Sequence, residues 1–438
     1  MRPRLNDPPQ WRNWARNHIA HPAAIHHPAS EDELVAIVLA AAGAGRQVKV
    51  VGAGHSFSDI GVTDGDLIIL DRYTRVLGID IERRRITVQA GLSLHELNDL
   101  LDRRGLAMAN LGDIDVQTVA GATSTGTHGT GAKLKGLAAS IVGLRLVTGD
   151  GSMFECDADD GSELLDVVRV GLGALGVVST VTLEVVPSFN LRVRNEPRRL
   201  EALLRDLDSL VDDNDHFEFF WVPHTEWGLT KTNNRTTEPL TPPSRIGHYA
   251  NDIVFENVGL GAICRLGRRR PSLTPRLAQL SRLSSKREFI DKSYEVFATR
   301  RLVRFCEMEY AIPREACAEA LVRVRRLIED RDYKVSFPIE VRFAAADEIA
   351  LSTAHGRASA YIAVHMFEGV PYEEYFRGVE AIMNEYGGRP HWGKLHFQTA
   401  ETLAPRYPRW TEFQAWRRRL DPDGRFANAY TGRVLGPV

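Results

Sequence analysis

The sequence has little cysteine, little lysine and no long apolar run. Its four cysteines, Cys156, Cys264, Cys306 and Cys317, form no CxxC pair and lie near no zinc-ligand spacing. That excludes a disulfide framework and a zinc-ribbon class, and leaves four buried or free thiols in a reducing compartment, with no metal site expected. Only eight of the 55 basic residues are lysine, and the net charge is −2. No uniform positive field is available to hold nucleic acid or an anionic surface, so any binding must come from local sites. The longest apolar stretches, such as Leu34–Ala42, fall far short of the ~18–20 residues that a membrane-spanning helix needs. Met1–Ala20 is polar, with Trp11, Trp14 and several arginines, and lacks the apolar centre of a signal peptide. The expectation is a cytoplasmic protein with no transmembrane segment, peripheral membrane contact being left open.

What is present suits a large globular chain. Hydrophobic residues make up 43% and charged residues 26% of 438, which allows two to three domains at ~150 residues each. Ser30-Glu31-Asp32-Glu33 reads as a capped start for a helix over Leu34–Ala42, ended by Gly43 and Gly45. Gln47–Val51, Asp66–Leu70, Arg85–Ala90, Ser140–Thr148 and Val177–Val186 read as strands, and Ser93–Arg104 carries a leucine stripe at helical spacing. Further on, Leu200–Val211 reads as a helix, His216–Val222 as a strand, and Thr230–Asn251 as a loop. Arg265–Arg304 reads as an Arg-rich helical stretch, its Arg268–Arg270 cluster as a solvated face. Thr411–Leu420 reads as a helix before an extended end.

Three glycine-rich segments follow predicted strands. The first is Val51-Gly52-Ala53-Gly54-His55-Ser56-Phe57-Ser58. It invites a dinucleotide-fold reading, but Phe57 occupies the third glycine position and residues 58–65 cannot form the long helix that such a site requires. The second, Gly121-Ala122-Thr123-Ser124-Thr125-Gly126-Thr127-His128-Gly129-Thr130-Gly131, is built almost wholly of small side chains. Backbone N–H groups can approach an anion closely there, and hydroxyls add donors. The third is Gly171-Leu172-Gly173-Ala174-Leu175-Gly176. Two such loops suit a large diphosphate ligand.

These loops resemble the FAD loops of the vanillyl-alcohol-oxidase (PCMH-type) flavoproteins. Phe337-Pro338-Ile339-Glu340-Val341-Arg342-Phe343, His391-Trp392-Gly393-Lys394 and Asp421-Pro422…Phe426-Ala427-Asn428-Ala429-Tyr430 resemble that family's aldonolactone oxidase branch. Within the branch, the chain is similar to the actinobacterial L-gulono-1,4-lactone dehydrogenases. The resemblance implies an α+β, two-domain fold. An FAD-binding domain would span residues 1–188, rejoined by the tail 411–438, and an α+β cap domain over 189–410 would cover the flavin with a mixed or antiparallel sheet backed by helices. It also implies FAD contacts from Val51 to Ser56, from Ser58, Gly112 and Gly121, from Ser124 through Gly131, and from Gly173, Gly176, Val177, Val178 and Lys394. His55 would be bonded covalently to the flavin.

Glu340 and Arg342 are two apart on an apparent strand, so they share one face while Ile339, Val341 and Phe343 take the other. Read alone, that is a salt bridge on a solvent face. With Lys394 and His365 brought nearby by the resemblance, it becomes a pocket. Arg342 and Lys394 would stabilise the oxygen as hydride leaves for flavin N5, and Glu340 would accept a hydroxyl hydrogen bond. His365 and Asp113 would contact substrate. Glycine at 112 would leave an oxygen path open. The implied activity is oxidation of an aldono-1,4-lactone (L-gulono-, L-galactono- or D-arabinono-) to an ascorbate-type product, with electrons passing to oxygen or to a cytochrome or quinone-type acceptor. Xylitol or sorbitol oxidation is the alternative enzyme reading, and a non-catalytic nucleotide-binding protein is the alternative of another class.

Overall fold

A computed structural model of the chain describes residues 9–160, 163–244, 259–280, 286–299 and 301–438. Local sequence signals set its early elements. The Ser30 side chain accepts from the Glu33 N–H and starts the helix Glu31–Gly43. Ser93 and Glu96 form a reciprocal capping box at the head of the helix Leu94–Asp102. Strands Ala24–His26, Asp66–Ile69 and Val48–Val51 make a small parallel sheet. A second, five-stranded antiparallel sheet includes Arg85–Gln89, Ile141–Val147 and Val177–Glu184. Leu94, Leu97 and Leu101 of the capped helix are buried in a core with Ile86, Val88, Leu144 and Val181 of the five-stranded sheet.

The second half is dominated by one eight-stranded sheet in which every pairing is antiparallel. Its centre runs His216–Trp221, Ile339–Ala344, Ser359–Phe367 and Phe305–Pro313. Alternation sorts the side chains. Phe217, Phe219, Ile339, Val341, Phe343, Ile362, Val364, Met308 and Tyr310 point into a core shared with the helices Cys317–Asp330 and Glu373–Glu385. The other face looks toward the first half of the chain. There the Thr130 hydroxyl donates to Phe217 O and accepts from the Phe343 N–H, and the Gly131 N–H donates to Phe343 O. The second glycine loop is therefore sewn directly onto the sheet.

Three expectations need correction. Residues 230–236 belong to a strand, Trp227–Thr236, not to a loop, because that strand pairs on both sides with Asn190–Arg199 and His216–Trp221; residues 245–251 of the expected loop lie outside the described residues. The stretch 265–304 is helical only in part: the strand Arg287–Lys292 adds to the sheet edge, and residues 281–285 and 300 lie outside the description. The tail ends in a helix, Ala429–Leu435, capped reciprocally by Asn428 and Thr431, rather than in an extended segment. It returns to the first half, where Lys49 donates to Phe426 O and the Val48 N–H donates to Arg425 O.

Candidate active site

The polar face of the large sheet and the glycine loops enclose a cavity of about 900 Å³. Strand register places its functional groups. Glu340 and Glu309 both lie opposite Ala363, Glu307 lies opposite His365, and Arg342 lies opposite Tyr361. Glu340 and Arg342 are each only 7% exposed. The Arg342 guanidinium is held by three carboxylates: it contacts Glu340, sits 2.9 Å from Glu218 and 3.7 Å from Asp113. Asp113 also pairs with Arg301, and Glu218 with Lys231 at 3.1 Å. Burial alone would raise the acids. Beside Arg301 and Arg342, Asp113 is nonetheless held well below the usual carboxylate range, and Lys231 and Arg342 lower Glu218. Glu340 goes the other way. Burial pushes it up to about 7, offset in part by Arg342 and reinforced by Asp113 and Glu218.

A second charged group lies beside the first. Lys394 Nζ pairs with Glu307, whose other oxygen is 3.5 Å from His365 Nε2. The His365 Nδ1 lies 2.9 Å from the Pro338 carbonyl, which can only accept. Both ring nitrogens thus face acceptors, and His365 is raised: burial lowers it, but Glu307 outweighs burial. Lys394 is likewise raised, because Glu307 and Glu309 outweigh its burial. The segment carrying Lys394 is fixed to the first glycine loop. The Phe57 N–H donates to Gly393 O at 2.7 Å, and the Ser58 hydroxyl donates to Trp392 O.

His55 lines the same cavity, stacked on Trp14 at 5.1 Å between ring centroids. Burial and the charge of Lys394 lower it to about 4, so it is a neutral imidazole. Glu309, His128 and His391 form a buried cluster whose ligand atoms lie within 4.8 Å of one another. His128 Nε2 is 3.3 Å from Glu309, and the Gly393 N–H donates to His391 Nδ1. Those bonds describe a proton-bearing network more readily than a set of free metal ligands.

The glycine loops fit a diphosphate ligand. Among the described residues, the backbone N–H groups from Gly52 to Ser56 donate to no protein acceptor. The two loops close on each other at Thr118: a Cβ on Gly52 would lie 2.2 Å from Thr118 Oγ1. At Gly129 a Cβ would lie 2.3 Å from both Asn110 Oδ1 and Leu111 O, so only glycine lets the loop pass.

The cavity brings together Asp113, Glu340, Arg342, His365 and Lys394 with His55, Ser56, Gly112, Thr125, Thr127 and His128. Val51, Gly52, Ala53, Gly54, Gly121, Ser124 and Gly126 lie outside its lining, along the two loops. The Ser58 hydroxyl is committed to Trp392, Gly129 is pressed against Asn110, and Thr130 and Gly131 are bonded into the sheet. Gly173 and Gly176 belong to a turn that leads into the strand holding Val177 and Val178, away from the cavity. Glu218, Glu307, Glu309, Arg301 and His391 were not anticipated. Glu307 and Glu309 follow the alternation that singled out Glu340 and Arg342, between the core residues Cys306, Met308 and Tyr310, and that signal could have found them.

Residues 181–434 match the family "D-arabinono-1,4-lactone oxidase", and residues 22–157 match an FAD binding domain. A Mycobacterium tuberculosis protein named L-gulono-1,4-lactone dehydrogenase is 49% identical over 98% of this chain and all of its own length. The chain belongs to the D-arabinono-1,4-lactone oxidase family. The L-gulonolactone oxidase of Bos taurus is another similar protein, 35% identical over 97% of this chain and 98% of its own. A cholesterol oxidase from Brevibacterium sterolicum shares the fold, with a TM-score of 0.82 at 16% identity, covering 98% of this chain and 96% of that one. This lactone-oxidase family member is an FAD-dependent oxidoreductase with a vanillyl-alcohol-oxidase-type fold. Among its described residues no helix is long and apolar enough to cross a membrane.

Proposed function

We propose that the chain oxidises an aldono-1,4-lactone, L-gulono-1,4-lactone first, at its C2–H and C2–OH. The product would be a keto-lactone that enolises to an ascorbate-type compound. The observation that carries this reading is the meeting of a buried cation, Arg342, and a half-buried one, Lys394, with Glu340 in a cavity walled on its other side by the first and second glycine loops. FAD, held by residues 52–56 and 121–128, supplies the hydride acceptor. Arg342 and Lys394 bind the reacting oxygen and stabilise its developing charge. Glu340 takes the hydroxyl proton, and His365 and Asp113 orient the remaining hydroxyls. The cofactor half is residues 1–188 with the tail 411–438, and the substrate half is 189–410. Four free, buried cysteines support a reducing, cytoplasmic location. Steady-state turnover of aldono-1,4-lactones against xylitol and sorbitol tests the substrate class; activity on alditols alone would reassign it.

The pH dependence follows from Glu340. Its carboxyl, raised to about 7 by burial, stays protonated below that pH and cannot take the hydroxyl proton. The rate of the reductive half-reaction should therefore rise with pH through about 7. In Glu340→Gln that limb should vanish; an unchanged profile would assign the proton to another group.

We also propose that the flavin is attached to His55. Its neutral imidazole keeps the ring-nitrogen lone pair that bond formation needs. Acid-precipitated holoenzyme should stay yellow and fluorescent, and a white pellet with all FAD in the supernatant would contradict attachment. His55→Ala should still bind FAD through the loops and turn over more slowly.

Dehydrogenase activity with slow reaction toward oxygen is the expected acceptor behaviour. A Cβ on Gly112 would sit 3.3 Å from Thr127 Cγ2 and 3.4 Å from His128 O, tight but tolerable. Gly112→Ala should slow reoxidation by oxygen further. No change would mean that oxygen arrives by another route.

A further inference from the structure

Between Glu256 and Glu288 the sequence contains no acidic and no aromatic residue, and eight basic ones, in a chain whose net charge is −2. In the described part of this stretch, the helix Leu260–Arg269 buries Cys264 against Phe337 and Phe367. Its opposite face carries Ala262, Arg265, Leu266 and Arg269 at helical spacing, all exposed. Arg270, Arg276 and Leu280 extend this surface, with Leu266 42% and Leu280 48% exposed. None of Arg265, Arg269, Arg270 and Arg276 forms an ion pair among the described residues.

The same segment borders the cavity. Leu260, Ile263, Leu277 and Leu280 line an apolar arm that continues from Glu340 past Phe220 and Trp227. Because Leu280 is both exposed and cavity-lining, the arm opens beside the arginine surface; across the mouth Arg199 pairs with Glu226. A six-carbon lactone has no use for such an arm.

We infer that this face seats the enzyme on an anionic lipid surface and that the apolar arm admits a lipid-soluble quinone as the electron acceptor. Arginines interleaved with exposed leucines suit a headgroup layer. The absence of aromatic residues argues against a single-stranded nucleic-acid platform. Over a full cycle the lactone CH–OH loses two hydrogens and becomes C=O. The quinone gains two electrons and two protons and becomes the quinol, so atoms and electrons balance. The inference rests on the lactone oxidation proposed above.

The test uses holoenzyme and vesicles of phosphatidylcholine with or without phosphatidylglycerol, loaded with a long-tailed ubiquinone. The protein should sediment with the anionic vesicles, be released by high salt, and reduce the embedded quinone when lactone is added. Arg265→Glu with Arg269→Glu should weaken vesicle binding at least ~10-fold and lose quinone turnover, while turnover with a water-soluble dye persists. Trp227→Ala should raise the quinone KM and leave vesicle binding unchanged. Failure to bind anionic vesicles, equal binding by the charge-reversed protein, binding to nucleic acid instead, or unused vesicle quinone would each overturn the inference. Absence of lactone turnover with the dye would instead defeat the proposed reaction and leave the binding result to stand by itself.

Discussion

Arg342→Ala is expected to slow anaerobic reduction of the flavin by lactone about 10²–10³-fold, the usual effect of losing one donor to a developing oxyanion. Stability should fall as well, by about 3–5 kcal/mol, because the substitution strips the cation from a buried cluster. Arg342 is the shared partner of Glu218, Glu340 and Asp113. In the native protein Asp113 and Glu218 are held below their ordinary values. Their contribution to stability is thus present above the unfolded carboxylate range and lost as pH falls through the depressed folded values. Without the guanidinium these acids titrate higher, so the variant's deficit should grow as pH rises above ~4. Thermal unfolding at pH 5 and pH 8 measures this, with the larger loss expected at pH 8. Arg342→Lys restores the charge without the planar fork and should recover part of the stability. A variant reduced at the native rate would remove Arg342 from the catalytic groups.

Lys394→Ala should show a kinetic defect of similar size, ~10²–10³-fold, confined to the reductive half-reaction. Lys394 lies beside the first glycine loop. It pairs with Glu307, lies 5.1 Å from the Phe57 ring centroid, and its charge helps keep His55 neutral. Removing it leaves Glu307 with only His365, so His365 has to carry the remaining positive charge. Single-turnover stopped-flow separates the readings. A slower flavin reduction at saturating lactone supports oxyanion stabilisation. A higher KM at the native limiting rate would make Lys394 a ground-state binding residue instead.

Residues whose environment is set by local pattern were legible in the sequence. Alternation over Ile339–Phe343 was enough to put Glu340 and Arg342 on one face, since a strand has only two. What it could not tell is that this face is covered: a salt bridge facing solvent and a buried pair read the same along the chain. Burial comes from the glycine loop bonded across to Phe217 and Phe343, a contact between residues far apart in sequence. Glu307, Glu309 and Glu218 went unseen for the same reason, acids on strands reading as solvent-facing until a second layer encloses them. Residues 230–236 read as loop along the sequence because their Thr and Asn residues are turn formers by composition. In a strand paired on both sides, Thr230 and Asn233 are buried positions. The terminal helix did leave a trace, with Asn428 as its cap and Gly436 at φ 79° past its end, but Gly432 within it hid the helical pattern.

The most direct test of the account is anaerobic mixing of the oxidised holoenzyme with L-gulono-1,4-lactone, following the flavin absorbance. Saturable bleaching is expected, at a rate no slower than steady-state turnover with an artificial acceptor. Flavin that stays oxidised with every aldono-1,4-lactone tried would contradict it.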